Sequence, residues 1–435
     1  MAYDLSKVNS VAEPAEISGA DRRAAMASVI GTTIEWYDFF IYGTAAALVF
    51  PTLFFGSTDD RSLMASFSTI FVGFISRPLG AMLFGHMGDR VGRKSTLVAT
   101  LLLMGLSTVA IGVLPTKAEI GSLGGWLLVL FRFLQGVGVG GEWGGAVLLS
   151  METHVGRRRG LMASLPHIGV PLGLVFSVLV WGCCSYLFGP DLSAWAWRIP
   201  FVGSAAFLVI GLVIRARIPE TTDFLDAKRR GMQKGSPLII AVRDHWRSIL
   251  LAALIRPGEQ ASFYMLSTFV VLYGSTELGM GKAFILNAVL VAAVISCFAV
   301  PLFGHLADRF GRRRVYMTGA ILMTLFAFPY FAMLQTAIPV IVVLAIVLLM
   351  IFHDMMYGSQ AAYISEAFPP EIRYSAASLG YQGASIIAGG PAPMISLWLY
   401  TTFHSGYAVA GYLAAMGFIS VVGSLLLKDH SAHQA

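Results

Sequence analysis

Several groups of polar residues stand inside long apolar stretches, and their types and spacing suggest ion and anion chemistry. Glu35 and Asp38 lie three residues apart near the middle of the first apolar stretch. Burial disfavours the charged form of a carboxylate, and a second carboxylate on the same helical face adds to that effect. Such a pair can bind and release a proton; the other reading is a static ion pair with an arginine of another helix. Arg132, Gln135 and Glu142 fall within a stripe roughly 80° wide when a helix turns 100° per residue. Arg132 could there alternate between a protonatable acid and an anion, or form a structural pair with Glu142. Arg256 precedes Pro257, so a helix carrying Arg256, Glu259 and Tyr264 should be kinked or broken at that point. Arg256 could bind a substrate anion or pair with Glu259. His353 and Asp354, with Tyr357 and Gln360 on the following turns, form another group, read either as cavity lining or as a satisfied buried pair. Tyr381 and Gln382 can offer hydrogen bonds to hydroxyls. Trp36, Tyr37 and Trp143 stand beside these charges and are expected to wall a cavity.

No His, Cys or carboxylate spacing suggests a metal site. Cys183, Cys184 and Cys297 all fall in apolar stretches, with no metal or disulfide pattern. Gly136-x-Gly138-x-x-Gly141 matches a dinucleotide-binding pattern by letter, but no strand precedes it. Small residues that let helices approach closely explain it better, and no cofactor is expected.

The elements that must hold these groups follow from composition. Of 435 residues, 56% are hydrophobic and only 12% charged, with a mean hydropathy of +0.73. A soluble chain carries about twice that share of charge, so the solvent for most of this chain is lipid. The fold class expected is all-α and polytopic, with about twelve transmembrane helices in two six-helix bundles. The net charge of +6 could suggest nucleic acid, but its Lys and Arg residues cluster in alternate short loops. That pattern marks membrane topology and excludes a nucleic-acid partner. One side carries Arg22, Arg23, Arg90, Arg93, Lys94, the run Arg157 to Arg159, Arg215, Arg217, the linker residues Lys228, Arg229, Arg230, Lys234, Arg243 and Arg247, then Arg309, the run Arg312 to Arg314, Arg373 and Lys428. The opposite side has little beyond Arg61, Lys117 and Lys282. Positive-inside orientation puts both termini in the cytoplasm of a multi-pass inner-membrane protein.

The longest polar stretch bisects the chain. The organisation expected is a cytoplasmic tail at 1–23, a six-helix bundle at 24–215, a linker at 216–247, a second bundle at 248–427 and a short tail at 428–435. Gly85-His-Met-Gly-Asp89-Arg90-Val-Gly92-Arg93-Lys94 returns 219 residues later as Gly304-His-Leu-Ala-Asp308-Arg309-Phe-Gly311-Arg312-Arg313. The glycines permit a tight turn. The Asp can face a helix N-terminus or a neighbouring Arg, forming a latch between helices. Asp89, Arg90, Arg93, Asp308, Arg309 and Arg312 are therefore expected to gate the cytoplasmic face. Arg77, beside Pro78, is placed with them as an anchor of the cytoplasmic half of its helix.

This repeated loop resembles the signature loop of the major facilitator superfamily. Gly31-Thr-Thr-Ile-Glu35-Trp36-Tyr37-Asp38-Phe39, Arg132-Phe-Leu-Gln135-Gly136, Gly140-Gly141-Glu142-Trp143-Gly144-Gly145 and Trp197-Arg198-Ile-Pro200-Phe201 resemble the metabolite:proton symporter family within it. The stretches around Asp308, His353-Asp354-Met355, Arg373-Tyr374-Ser375 and Gly380-Tyr381-Gln382 resemble its shikimate carriers. Glu35 departs from the Asp usual at that position, keeping the charge but shifting it by one methylene. The resemblance implies proton symport of a small organic acid, shikimate-like by preference, by alternating access of two halves. Its Arg-x-x-Gln-Gly element implies a proton relay. The resulting roles are proton binding and coupling for Glu35, Asp38, Arg132 and Glu142. Substrate binding falls to Trp36, Tyr37, Gln135, Trp143, Arg256, Glu259, Tyr264, His353, Tyr357, Tyr381 and Gln382. A monomer without enzymatic activity is expected. Uptake of a zwitterionic osmolyte such as betaine or proline, and exchange or efflux on the same fold, are the competing functions.

Overall fold

The computed structural model describes residues 19–57, 59–153, 158–189, 191–229 and 236–428. Most of both expected tails, Arg157 of the basic loop, and Arg230 and Lys234 of the linker lie outside the described residues. Every regular element among them is helical. The first half contains α1 (Gly19–Leu48), α2 (Asp60–Arg90), α3 (Arg93–Gly112), α4 (Leu123–Thr153), α5 (Arg159–Phe188) and α6 (Arg198–Ala216). A short linker helix, Thr222–Arg229, follows. The second half contains α7 (237–276), α8 (Lys282–Phe310), α9 (Arg312–Gln335), α10 (Pro339–Glu366), α11 (373–403) and α12 (Gly406–Leu426).

Nine of these helices are long and apolar enough, among the described residues, to cross a membrane, α5 among them with a 3-10 turn at Leu165–Ile168. The other three are α1, α7 and α11. Helix α1 is continuous but carries Glu35 and Asp38. Helix α7 kinks at His245, breaks at Ile255–Arg256 before Pro257, and has a π-helical turn at Met265–Phe269. Helix α11 has a π-helical turn at Ser385–Gly389, with Pro391 just beyond. Broken or charge-bearing spans are costly in lipid and are tolerated where they line a cavity. The outer surface elsewhere suits lipid, with Phe298, Leu325, Val340 and Phe418 all strongly exposed.

The two halves repeat one packing plan. Helix α2 packs on α4, α3 on α4 and α6, and α1 on α5. In the second half α8 packs on α10, α9 on α10 and α12, and α7 on α11. Between halves the most extensive pairs are α2 with α11 and α8 with α5, equivalent contacts under the same repeat. The α2–α4 contact is made by glycines. A Cβ on Gly136 would meet the Gly73 carbonyl oxygen at 2.2 Å, and one on Gly140 the Arg77 carbonyl oxygen at 2.0 Å. These glycines allow backbone-to-backbone approach, the packing role expected for them. Gly92 and Gly311, at φ 134° and 96°, close the two repeated turns in a region that side-chain-bearing residues rarely adopt.

Trp126 and Trp195 are exposed, as an interfacial belt requires. Trp181 and Trp197 are not: both are buried in the first bundle, where Trp197 packs edge-on to Phe50, Phe54 and Phe201.

Candidate functional site

A narrow, water-sized space lies between the two halves. From the first half it is lined by Glu35 and Trp36 of α1, Arg77 of α2, Trp143 of α4 and His167 of α5. From the second half come Gln260 of α7, Tyr357 of α10, and Tyr381 and Gln382 of α11. An adjoining space in the first half is lined by Glu35, Phe39, Arg77, Arg132 and Gln135. Glu35 and Arg77 border both.

Glu35 and Asp38 do not point to one place. The Glu35 carboxylate borders the cavity and makes no hydrogen bond or ion pair with a described residue. Asp38 turns into the first bundle, accepting hydrogen bonds from Thr108 of α3 and Ser204 of α6, both at 2.7 Å. A chain continues from there. Gln135 donates to Thr108 at 2.8 Å, and Arg132 donates to Gln135 at 2.5 Å with its guanidinium 4.1 Å over the Tyr42 ring. Asp38, Gln135 and Arg132 are thus brought together, across α1, α3 and α4.

Glu142 is not part of that chain. It pairs with Arg215 of α6 and accepts a hydrogen bond from Thr100 at 2.7 Å. Ten residues separate Glu142 from Arg132, about 15 Å along a helix, so the shared stripe does not make them neighbours. Tyr37 also leaves the expected cavity wall: its hydroxyl donates to the Pro200 carbonyl at 3.0 Å and its ring packs on Phe207. Arg77 stands among the cavity residues, not at the gate where its proline neighbour had placed it.

In the second half, Arg256 pairs with Glu259 at 3.0 Å and donates to the Tyr381 carbonyl. Glu259 faces His353 Nε2 at 3.5 Å, and His353 Nδ1 lies 3.0 Å from Asp354, which accepts from Ser296 of α8 at 2.8 Å. Arg256 is therefore engaged by protein groups and not free for an anion in this state. Tyr264 packs edge-on against Phe74 across the interface, its buried hydroxyl without a partner among the described residues.

Towards the basic face, rings from both halves stack. The Arg256 guanidinium lies 3.3 Å over Tyr381, Tyr381 stacks on Trp143 at 3.7 Å, and His167 stacks on Tyr357 at 3.9 Å. Trp143 Nε1 donates to His167 Nε2 at 2.9 Å, and His167 Nδ1 lies 2.8 Å from the Tyr357 carbonyl. An indole N–H can only donate, so Nε2 accepts and Nδ1 carries the hydrogen. His167 is therefore a neutral bridge between the halves. On the other side of the cavity Trp36 and Phe40 meet Phe263, and Phe74 meets Tyr264, again across halves.

The repeated loops form two matching latches. Asp89 accepts from the backbone N–H groups of Tyr374 and Ser375, at 3.1 and 2.8 Å, in the first turn of α11. Asp308 accepts from Gly160 and Leu161, at 2.7 and 2.8 Å, in the first turn of α5. Those N–H groups lack helical partners, and the positive end of the helix dipole favours the carboxylate. Each Asp also meets an Arg four residues on: Arg93 at 3.1 Å and Arg312 at 3.3 Å. Arg93 reaches Glu152 at 3.4 Å, and Arg312 reaches Glu366 at 2.6 Å. Arg373 of the second half joins Glu152 of the first at 3.2 Å. Arg90 and Arg309 are exposed and stand outside both latches.

Sequence reasoning missed His167, Arg215, Gln260, Glu152 and Glu366. The first three had a signal, a lone polar residue within or ending an apolar stretch. Glu152 and Glu366 had another: they end α4 and α10, 214 residues apart, near the repeat spacing.

Two repeated six-helix bundles around a central polar space, latched on one face, define a membrane carrier. The chain belongs to the major facilitator superfamily and is a transporter, not an enzyme. Residues 24–245 match the sugar (and other) transporter family and residues 260–435 the major facilitator superfamily. The chain is 39% identical to the shikimate transporter of Escherichia coli over 94% of each chain. It is 38% identical to the inner membrane metabolite transport protein YhjE of the same organism over 95% of each. More distant is the glycine betaine/proline/ectoine/pipecolic acid transporter OusA of Dickeya dadantii, 31% identical over 94% of this chain and 84% of that one. The proton:xylose symporter XylE shares the fold, with a TM-score of 0.74 at 18% identity over 94% of this chain and 96% of that one.

Proposed function

We propose that this carrier imports a small organic acid together with a proton, by rocking its two halves about the central cavity. The observation that carries the reading is that a buried carboxylate, Glu35, and a buried guanidinium, Arg77, border the same cavity, neither with a hydrogen bond or ion pair to a described residue. Glu35 takes the proton, and the Asp38–Thr108–Gln135–Arg132 chain couples it to the first bundle. Trp143, Tyr357, Tyr381 and Gln382 contact the substrate. Similarity to the shikimate transporter favours a hydroxylated ring acid. Both termini and both latches face the cytoplasm of a bacterial inner membrane, the first bundle spans 24–215, the second 248–427, and the protein acts as a monomer.

A second reading, a zwitterionic osmolyte, is favoured by the aromatic rings Trp36, Trp143 and Tyr381 around the same space, since such faces attract ammonium groups. Uptake of labelled shikimate into proteoliposomes under an inward proton gradient separates the two. Gradient-driven uptake that a protonophore abolishes and betaine does not inhibit is the expected result. Uptake of betaine or proline without shikimate would overturn the organic-acid assignment.

A further inference from the structure

The buried arginines of this protein differ in what neutralises them. Arg93, Arg215, Arg256, Arg312 and Arg373 each lie against a carboxylate. Arg132 is held by Gln135 and the face of Tyr42. Arg77 alone of these cavity and latch arginines is left with rings only: its guanidinium lies 4.2 Å from the Phe74 centroid and 5.4 Å from that of Phe39. It is 5% exposed, and among the described residues its Nε has no hydrogen-bond partner and it forms no ion pair. A guanidinium in a span requires a partner or a polar cavity, and Arg77 borders the cavity. Across that space, on the second half, the Gln260 Oε1 atom is also buried and has no partner among the described residues.

Resting on the organic-acid reading, we propose that Arg77 is the residue that receives the substrate carboxylate. Its planar fork of N–H donors suits a carboxylate, which would hold the substrate against the first half. Gln260 offers a hydrogen bond from the second. The charges around this pair are already matched. Asp38 is linked to Arg132 through Thr108 and Gln135. Glu142 is paired with Arg215, Glu259 and Asp354 with Arg256 and His353, and His167 is neutral. Among the described residues bordering the cavity, the Glu35 carboxyl and the Arg77 guanidinium remain without such a partner. A monoanion arriving at Arg77 leaves the cavity with a net negative charge unless Glu35 takes a proton. The same two residues therefore make anion and proton enter together, one for one.

The test compares wild type, Arg77→Gln and Arg77→Lys in proteoliposomes. It uses whichever of shikimate, citrate and 2-oxoglutarate the wild type carries, with the uncharged amide of that acid as competitor. The wild type should prefer the acid over its amide. Arg77→Gln should raise KM for the acid about tenfold or more while leaving inhibition by the amide unchanged, erasing the preference. Retained amide inhibition shows that the variant site is folded. Arg77→Lys, which keeps the charge but not the fork, should fall between. An Arg77→Gln carrier that keeps the wild-type preference for the acid would overturn the assignment while leaving the organic-acid reading standing. A wild type that carries none of the three acids would overturn both.

Discussion

Glu35 is the residue on which proton coupling turns, because it is the cavity's one carboxylate without a hydrogen bond or ion pair to a described residue. Glu35→Gln keeps the shape and removes the titratable oxygen. Uptake driven by a proton gradient should fall to background in this variant, while exchange of labelled for unlabelled substrate continues, since exchange needs no net proton movement. Loss of both would assign Glu35 a structural role instead. Asp38→Asn should act differently. It breaks a chain of hydrogen bonds inside the first bundle, so exchange and gradient-driven uptake should fall together. At this scale the sequence displayed which polar residues were embedded in apolar stretches but not where they pointed. Glu35 and Asp38, nearly on one helical face, diverge because Thr108 and Ser204 offer hydroxyls to Asp38 from α3 and α6. Such partners lie 70 and 166 residues away in the chain and leave no local mark. Depth was legible: Arg77 lies 17 residues after Asp60 and 13 before Arg90, near the middle of α2. Its proline neighbour drew it to the gate instead.

Among the elements, the α2–α4 contact sets the position of Arg77, because the Arg77 carbonyl is what Gly140 packs against. Gly140→Val would place a Cβ 2.0 Å from that oxygen, well inside contact distance. The helices must then separate, at a cost of about 1–3 kcal/mol for overpacking, and the Arg77 guanidinium moves with its backbone. Thermal unfolding in detergent should shift down, and KM for the substrate should rise. Gly203→Ala is the control, since a Cβ there meets nothing within 4 Å; an equal loss in both variants would show that the close approach is not what matters. The glycines of α4 were readable as a packing stripe, and Pro257 announced the break in α7. The π-helical turn at Ser385–Gly389 in α11 was not announced, because it depends on how α11 packs against α7 and α2 rather than on local propensity.

The whole molecule is organised by exchange: the last turn of α2 caps α11 of the other half, and the last turn of α8 caps α5 of the first. The duplicated motif made the two halves legible, and its Asp made a latch legible. The cross-half partners were not, because the motif says nothing of which helix N-terminus it meets. Each latch Asp accepts two backbone N–H bonds across the interface, and hydrogen bonds to a charged acceptor contribute about 1.5–3 kcal/mol. Bonds present in one conformation and absent in the other shift the balance between them by that difference. Asp89→Asn and Asp308→Asn should each open the basic face, moving the population roughly ten- to hundredfold. The double variant should open it further, because the latches act on the same movement from opposite sides of the repeat. The exposed side chains of Arg90 and Arg309 offer sites for spin labels, in a background with Cys183, Cys184 and Cys297 replaced. Pulsed electron resonance should then report a longer distance between labels in each single variant and longer still in the double. Matching distance distributions in all four proteins would mean that the stacked Trp143, His167, Tyr357 and Tyr381 rings close this face without the latches.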